Sequence, residues 1–481
     1  MFGSVVSALA LLLLPAAGCA SAPPQDDSAP SPSGDTADLP EDCGVVPMGV
    51  AAVDGGTLTT ATARVYTGDR DDGTGVQLLA AGDLDADSCG DLLVQAVPGA
   101  HGANPDPLHS FLSGPLPESG ALSTVATATW IDEEQHLHTE WSGNPTAAGV
   151  DLDGDTAPDV AFAPTIGSAS YAEVERAQVF VLVSGAAPPA TVQELPVLIR
   201  DDPSCERASL LAGDWNGDEQ ADLAMFSGAV YESTAWGAAW WGPFTAERAC
   251  TAPDAWLPLP SGDDADLFFG GSPTAGDLNG DGQDELVLVA QTDWATDSVR
   301  TLLAFEATPG GDFDVDQPLL RMDDVLTSPT LLADLDGNGH PDLAVSRVVD
   351  SESYVKEWLV FGEPLTTTHP DDARLRIRTW WQSEAADGGA LLGGSGSTLL
   401  VSYLHANDTY EPSFCALAPG ASGEMSLGDC DLRFGPEVFS SYLRSFAVVP
   451  DVDGFGTQAL AVGGGREEAG ETEDVVLVWG L

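Results

Sequence analysis

GVDLDGDTAPDVAF, running from Gly149 to Phe162, sets alternating acidic residues between two short apolar stretches. If Asp151 is position 1, side-chain oxygens recur at positions 3, 5 and 9 (Asp153, Asp155, Asp159), and the Ala157 carbonyl is available at position 7. Alternate side chains converge only if the backbone curls tightly, and Gly154 at position 4 permits that curl. Carboxylates held so close repel one another unless a cation lies among them. The first half of the pattern resembles an EF-hand, but position 12 is Phe162, where an EF-hand needs a bidentate Glu between helices. The flanks here alternate and branch like strands.

The same pattern returns four more times. AGDLDADSCGDLLV starts at Ala81, AGDWNGDEQADLAM at Ala212, AGDLNGDGQDELVL at Ala275 and LADLDGNGHPDLAV at Leu332. A degraded copy, VVPDVDGFGTQALAV, starts at Val448. The leading acids Asp83, Asp151, Asp214, Asp277, Asp334 and Asp451 are spaced 68, 63, 63, 57 and 117 residues apart. Halving the last gap points near residue 392, where ALLGGSGSTLLVSY keeps the apolar flanks without an acidic loop. A second marker, a short apolar strand often closing on Gly or Gly-Pro, recurs in phase: HSFLSGPL, VFVLVSGA, AAWWGPF, RTLLAFEA, EWLVFGEPL, PSFCALAPG and DVVLVWGL. Both markers count seven units of roughly 60 residues. Each has room for four short strands, the unit of a propeller blade. The expected fold is therefore all-β, a seven-bladed β-propeller of four-stranded antiparallel blades. Thr59 to Thr67 precedes the first loop and has no blade of its own. It is expected to complete the last blade and so reduce the exposed edge.

These loops resemble the FG-GAP (VCBS-type) repeats of integrin α chains and bacterial surface proteins, in which a D-x-D-x-D-G-x-x-D loop joins two strands of a blade and binds Ca²⁺. The resemblance covers nearly everything after residue 70. Carried over by position, it implies five calcium sites. The first would use Asp83, Asp85, Asp87 and Asp91 with the Cys89 carbonyl, and the second Asp151, Asp153, Asp155 and Asp159 with that of Ala157. The third would use Asp214, Asn216, Asp218, Gln220 and Asp222, and the fourth Asp277, Asn279, Asp281, Gln283 and Glu285. The fifth would use Asp334, Asp336, Asn338, His340 and Asp342. The last loop has Phe455 and Ala459 at positions 5 and 9 and is not expected to bind. The alternative for all of them is an Asp/Gly turn without metal. Extracellular calcium modules bind at about 10⁻⁴–10⁻³ M.

The net charge of −60, from 76 acidic against 16 basic residues, weighs against nucleic acid and against anionic lipid headgroups as partners. Residues 1–18 read as a signal peptide, with an apolar run from Phe2 to Leu14 that is too short to span a membrane. Ala17-Gly18-Cys19 resembles a bacterial lipobox, which would make Cys19 the lipidated first residue and tether the chain to an outer membrane. Residues 19–42, rich in Pro, Ser and Asp, cannot bury a core and read as a disordered tether; 43–481 holds the repeats. Six further cysteines in an exported chain favour disulfides, with neighbour pairing (43–89, 205–250, 415–430) the expected arrangement.

No P-loop, G-x-S-x-G or H-E-x-x-H is present. His136 and His138 beside several acids offer a transition-metal alternative to a polar strand, and the Trp240-Trp241 and Trp380-Trp381 pairs offer a sugar-stacking alternative to packing. The leading expectation is a non-catalytic binding, adhesion or scaffold module for an unknown protein or glycan. Its alternatives are a calcium-dependent polysaccharide lyase or phospholipase-like enzyme, as the resemblance allows, and a purely structural envelope lipoprotein.

Overall fold

In the computed structural model the chain divides into Met1–Glu41 and Asp42–Leu481. The structure describes residues from 57 to 480; positions 1–56 lie outside it, as do shorter stretches, chiefly 97–107, 132–145, 201–208, 227–234, 292–299, 381–390 and 451–457. The leader, Cys19, the tether, His136, His138, Trp381 and the degraded loop at Asp451 and Asp453 are therefore outside the described residues.

Among the described residues, the named elements apart from the short helix at Leu122–Val125 and the 3₁₀ turn at Pro370–Asp372 are β-strands. It is a propeller. In the first blade Thr74–Gly82, Asp91–Ala96, Leu108–Leu112 and Ala128–Ile131 follow one another as an antiparallel meander. The blades beginning at Thr146, Ser209, Phe268 and Thr330 repeat this order. The innermost strands meet in sequence around a ring: Thr74–Gly82 touches Thr146–Val150, which touches Ser209–Gly213, then Thr274–Gly276, then Thr330–Leu332. Tyr442–Val449, the inner strand of the last blade, returns to Thr74–Gly82 and closes it. Arg64–Thr67 pairs antiparallel with the final strand, Glu471–Gly480, and supplies the fourth strand of that last blade.

The count departs from the sequence expectation of seven four-stranded blades. Among the described residues, six sheets have four or five strands. The stretch around residue 392 forms only a three-stranded sheet, Leu391–Leu392, Ser397–Ala406 and Thr409–Leu417, between the fifth blade and the last. The reason is visible in its pairing. Gly423–Ser426, which follows its third strand, runs parallel to Leu375–Arg378 on the outer edge of the fifth blade. Arg433–Phe434 pairs with Thr57–Leu58 instead of with its own sheet. This unit also lacks the acidic loop that ties the first two strands in the others.

The lending of an edge strand recurs at two other junctions. Arg248–Ala249 of the third unit pairs parallel with Ile199–Arg200 of the second blade, and Gly120–Ala121 of the first pairs parallel with Tyr66–Thr67 of the last. The second, fifth and last blades become five-stranded in this way, whereas the Phe268 blade reaches five because Phe268–Phe269 and Thr274–Gly276 both pair with Glu285–Gln291.

The core lies between blades. Phe111 and Trp130 of the first blade pack with Phe162 and Phe180 of the second, while Trp215, Phe226 and Trp236 of the third pack with Leu288 and Phe305 of the fourth. Completely burying a side chain of this size stabilises by roughly 1.5–3 kcal/mol. Trp240 belongs to this packing: it is buried between the second and third blades and its Nε1 donates to the Ala249 carbonyl at 3.2 Å. For that residue the packing reading holds and the sugar-stacking reading does not.

Candidate metal-binding loops

Each acidic loop joins the inner strand of a blade to its second strand, and all five share one backbone. Positions 4 and 6 both take positive φ: Gly154 (87°) and Thr156 (75°), Gly217 (73°) and Glu219 (64°), Gly280 (76°) and Gly282 (89°), Gly337 (76°) and Gly339 (96°), and even Ala86 (62°) and Ser88 (72°). Non-glycine residues rarely sit there, so something must hold them. The carboxylate at position 1 does so. In loop two, Asp151 Oδ1 accepts from the Gly154 N–H at 2.7 Å and the Asp155 N–H at 3.2 Å, and its Oδ2 accepts from Thr156 at 2.7 Å. Asp214, Asp277 and Asp334 each accept from the same three positions of their own loops. In loops two to five position 3 accepts from the N–H of position 5, and in all five position 5 accepts from that of position 7, as in Asp153 with Asp155 (3.1 Å) and Asp155 with Ala157 (2.8 Å).

Position 2 is the part of the motif that the acidic pattern hides. Leu84, Leu152, Trp215, Leu278 and Leu335 are all buried, and each enters the core between its own blade and the next. The backbone N–H at position 2 donates to the carboxylate at position 9 in all five loops: Asp91 (2.6 Å), Asp159 (2.9 Å), Asp222 (3.0 Å), Glu285 (2.7 Å) and Asp342 (2.5 Å). The second oxygen of position 9 takes an N–H from the turn after the third strand of the same blade in three loops: Gly114 (2.8 Å), Ser184 (3.0 Å) and Gly242 (2.9 Å).

These position-9 carboxylates are fully buried. Burial is the main cause that pushes Asp91 and Asp222 up to about 7, Glu285 to about 8 and Asp342 to about 6, and it raises Asp159 as well. The loop acids add to the shift. A nearby positive charge would favour the ionised form and reverse it.

The loops differ in what they bring together. In the first, one carboxylate oxygen from each of Asp83, Asp85 and Asp91 lies within 4.8 Å of the others, and in the second Asp151, Asp153 and Asp159 do the same. These donor sets are all hard oxygen and suit calcium or another oxygen-seeking cation. Asp87 and Asp155 at position 5 are not in those groups. In loops three and four position 3 is Asn, and its side-chain N–H points to position 9: Asn216 to Asp222 at 3.5 Å and Asn279 to Glu285 at 2.5 Å. In loop five the corresponding neighbour of Asp336 and Asp342 is Arg374. Gln220, Gln283 and His340 at position 7 rest their side chains against Gly154, Gly217 and Gly280 at position 4 of the preceding loop.

Cys89 and Cys250 are buried. Their expected partners, Cys43 and Cys205, lie outside the described residues, as does Cys430.

No family model matches this chain, and no curated protein matches it. Among solved structures, Trypanosoma rangeli sialidase in complex with the inhibitor DANA is similar at 9% identity with a TM-score of 0.33, over 86% of this chain and 55% of that one. The same sialidase with 2,3-difluorosialic acid as a covalent intermediate is similar at 8% identity and a TM-score of 0.31, over 86% of this chain and 53% of that one. This chain thus spans about half the length of those it matches. At this level the propeller assignment rests on the sheets themselves.

Proposed function

We propose that this protein is a calcium-binding propeller of the cell envelope that acts as a non-catalytic binding, adhesion or scaffold module. The observation that carries the metal reading is the convergence of Asp83, Asp85 and Asp91, and of Asp151, Asp153 and Asp159, at equivalent loops of successive blades. Loops three and four offer the same frame with an amide in place of one carboxylate and would bind more weakly. Because position 2 of each loop sits between blades, an ion here would stiffen blade junctions. It would have a structural role, leaving the outer surfaces of the ring to a protein or glycan ligand.

The test is direct. Calcium should bind at more than one site per chain with dissociation constants of about 10⁻⁴–10⁻³ M. At ten times Kd each site contributes about 1.4 kcal/mol, so losing two to four ions on chelation should lower the melting temperature by roughly 3–6 °C. At a calcium concentration that fills loops one and two but not the amide-bearing loops three and four, Asp153→Asn should remove one ion and part of that shift. Melting that ignores both calcium and chelator, with no metal in the purified protein, would sink the reading.

The export reading belongs to the same proposal: Cys19 carries lipid in an outer membrane, and the remaining cysteines pair as 43–89, 205–250 and 415–430. Peptide masses without reduction check both. An unmodified Cys19 peptide, or crossed pairings, would overturn the corresponding part.

A further inference from the structure

Loop five departs from the other four at one point, and the departure concerns charge. Asp334, Asp336 and Asp342 occupy positions 1, 3 and 9, the same acids that converge in loops one and two. Among the described residues, however, they form no such three-carboxylate group. Asp342 is fully buried, and its Oδ1 has no hydrogen-bond partner among the described residues, whereas Asp91, Asp159 and Asp222 each receive a turn N–H there. The group facing that oxygen is the Arg374 guanidinium, with Nη1 4.0 Å from Asp342 Oδ1 and 3.5 Å from Asp336 Oδ2. Nη1 is itself buried without a hydrogen bond, and Nη2 donates to the Leu335 carbonyl at 3.4 Å.

Arg374 is not there by chance of rotamer. Its backbone N–H donates to the Val360 carbonyl at 2.9 Å, and its carbonyl accepts from Gly423 N–H at 2.8 Å. It is therefore clamped between the third strand of its own blade and the edge strand lent by the following unit. The Leu335 carbonyl also accepts from Gly420 of that following unit at 2.6 Å. The side chain thus reaches positions 2, 3 and 9 of the loop from a fixed base. A guanidinium cannot lose its charge in a protein. A divalent ion brought to the same carboxylates would meet its repulsion at short range.

We propose that Arg374 is the resident cation of loop five, so that this blade junction is held without calcium while the preceding loops depend on it. The inference rests on the calcium reading for its contrast, and the experiment separates the two. Bound calcium per chain is measured by equilibrium dialysis, at a calcium concentration that fills loops one and two but not the amide-bearing loops three and four, on the whole mature protein and on D153N, D336N and R374Q. D153N should lose one ion and D336N none, while R374Q should gain one that the double variant D336N/R374Q lacks. Loss of an ion in D336N, or no gain in R374Q while D153N loses one, overturns the proposal. Melting in chelator supplies the second arm. R374Q should melt several degrees below the parent, and adding its charge loss to D336N should cost less than in the parent background. If no variant binds calcium, the calcium reading fails alone. If R374Q melts like the parent in chelator, Arg374 is not the counter-ion of this loop.

Discussion

His109 shows what one residue contributes at a blade junction. It is fully buried in the third strand of the first blade, with its ring 5.1 Å from Phe162 of the second blade and 6.2 Å from Trp130. Its Nδ1 has no hydrogen-bond partner among the described residues. Burial lowers its pKa to about 4. The unfolded chain therefore takes up a proton near pH 6.5 that the folded one refuses, so the stability His109 lends is present above that pH and lost as pH falls toward 4. The loss is about 3 kcal/mol at most. Denaturant unfolding of the parent and of His109→Phe across pH 4–7 should show a steeper acid-side decline in the parent; parallel curves would refute the assignment. Nothing in the sequence around His109 distinguishes it from an exposed strand residue. Its burial depends on a neighbour from another blade, and no local pattern carries that information.

At the scale of the element, the five loops form a chain of contacts as well as five copies of a motif. The glycine at position 4 is needed for its positive φ, which the sequence suggests, and also because the position-7 side chain of the next loop lies against it, which the sequence does not suggest. The pairs are Gly154 with Gln220, Gly217 with Gln283 and Gly280 with His340. Where position 4 is Ala86, position 7 of the next loop is the small Ala157. Two backbone links reinforce the chain: Asp284 N–H donates to the Asp214 carbonyl at 2.7 Å, and the Asp284 carboxylate accepts from Asp214 N–H at 2.8 Å. Gly280→Ala would place a Cβ in the His340 ring at a φ of 76°. In chelator it should destabilise by about 2–4 kcal/mol, combining the left-handed penalty with the clash. His340→Ala in the same background should recover the steric part only. Full recovery would show that φ is not limiting, and no loss would show that the contact is absent. The acidic frame itself was legible because it is local and repeated. The buried position 2, the second positive φ at position 6 and the arginine in loop five were not, because each is defined by what the loop meets after folding.

For the whole molecule, the ring order and the completion of the last blade by an N-terminal strand could be read from two periodic markers and a leftover stretch. The number of full blades could not. The unit near residue 392 has the apolar periodicity of a blade, yet its outer segments pair elsewhere. The closing strand is well anchored: Tyr66 is fully buried and its hydroxyl donates to the Pro117 carbonyl at 2.6 Å. Removing residues up to 70 should bare the edge of the last blade, with an exposed strand open to pairing. Size-exclusion chromatography should then show oligomers. Tyr66→Ala, which keeps the strand, should stay monomeric and lose about 3–5 kcal/mol. A truncated chain that remains monomeric and equally stable would show that the strand is dispensable.

The charge of the molecule is also less evenly spread than its composition implies. Arg347, Arg374, Arg376 and Arg378 all lie on the fifth blade, and the buried Glu357 lies 2.9 Å from Arg347 and 3.6 Å from Arg378. The cluster neutralises acids within that blade, which is consistent with the one loop there that uses a guanidinium.

The borrowed edge strands bear on how such a ring could have been assembled and how it can be cut. Because Gly120–Ala121, Arg248–Ala249 and Gly423–Ser426 each belong in chain order to one unit and in hydrogen bonding to its predecessor, the second, fifth and last blades are not self-contained segments of gene. Excising the first or third unit, or joining new termini inside its third-to-fourth connection, would strip a strand from the neighbour. Termini moved to the stretch between an outer strand and the next inner one, as between Ile131 and Thr146, would leave every loan intact.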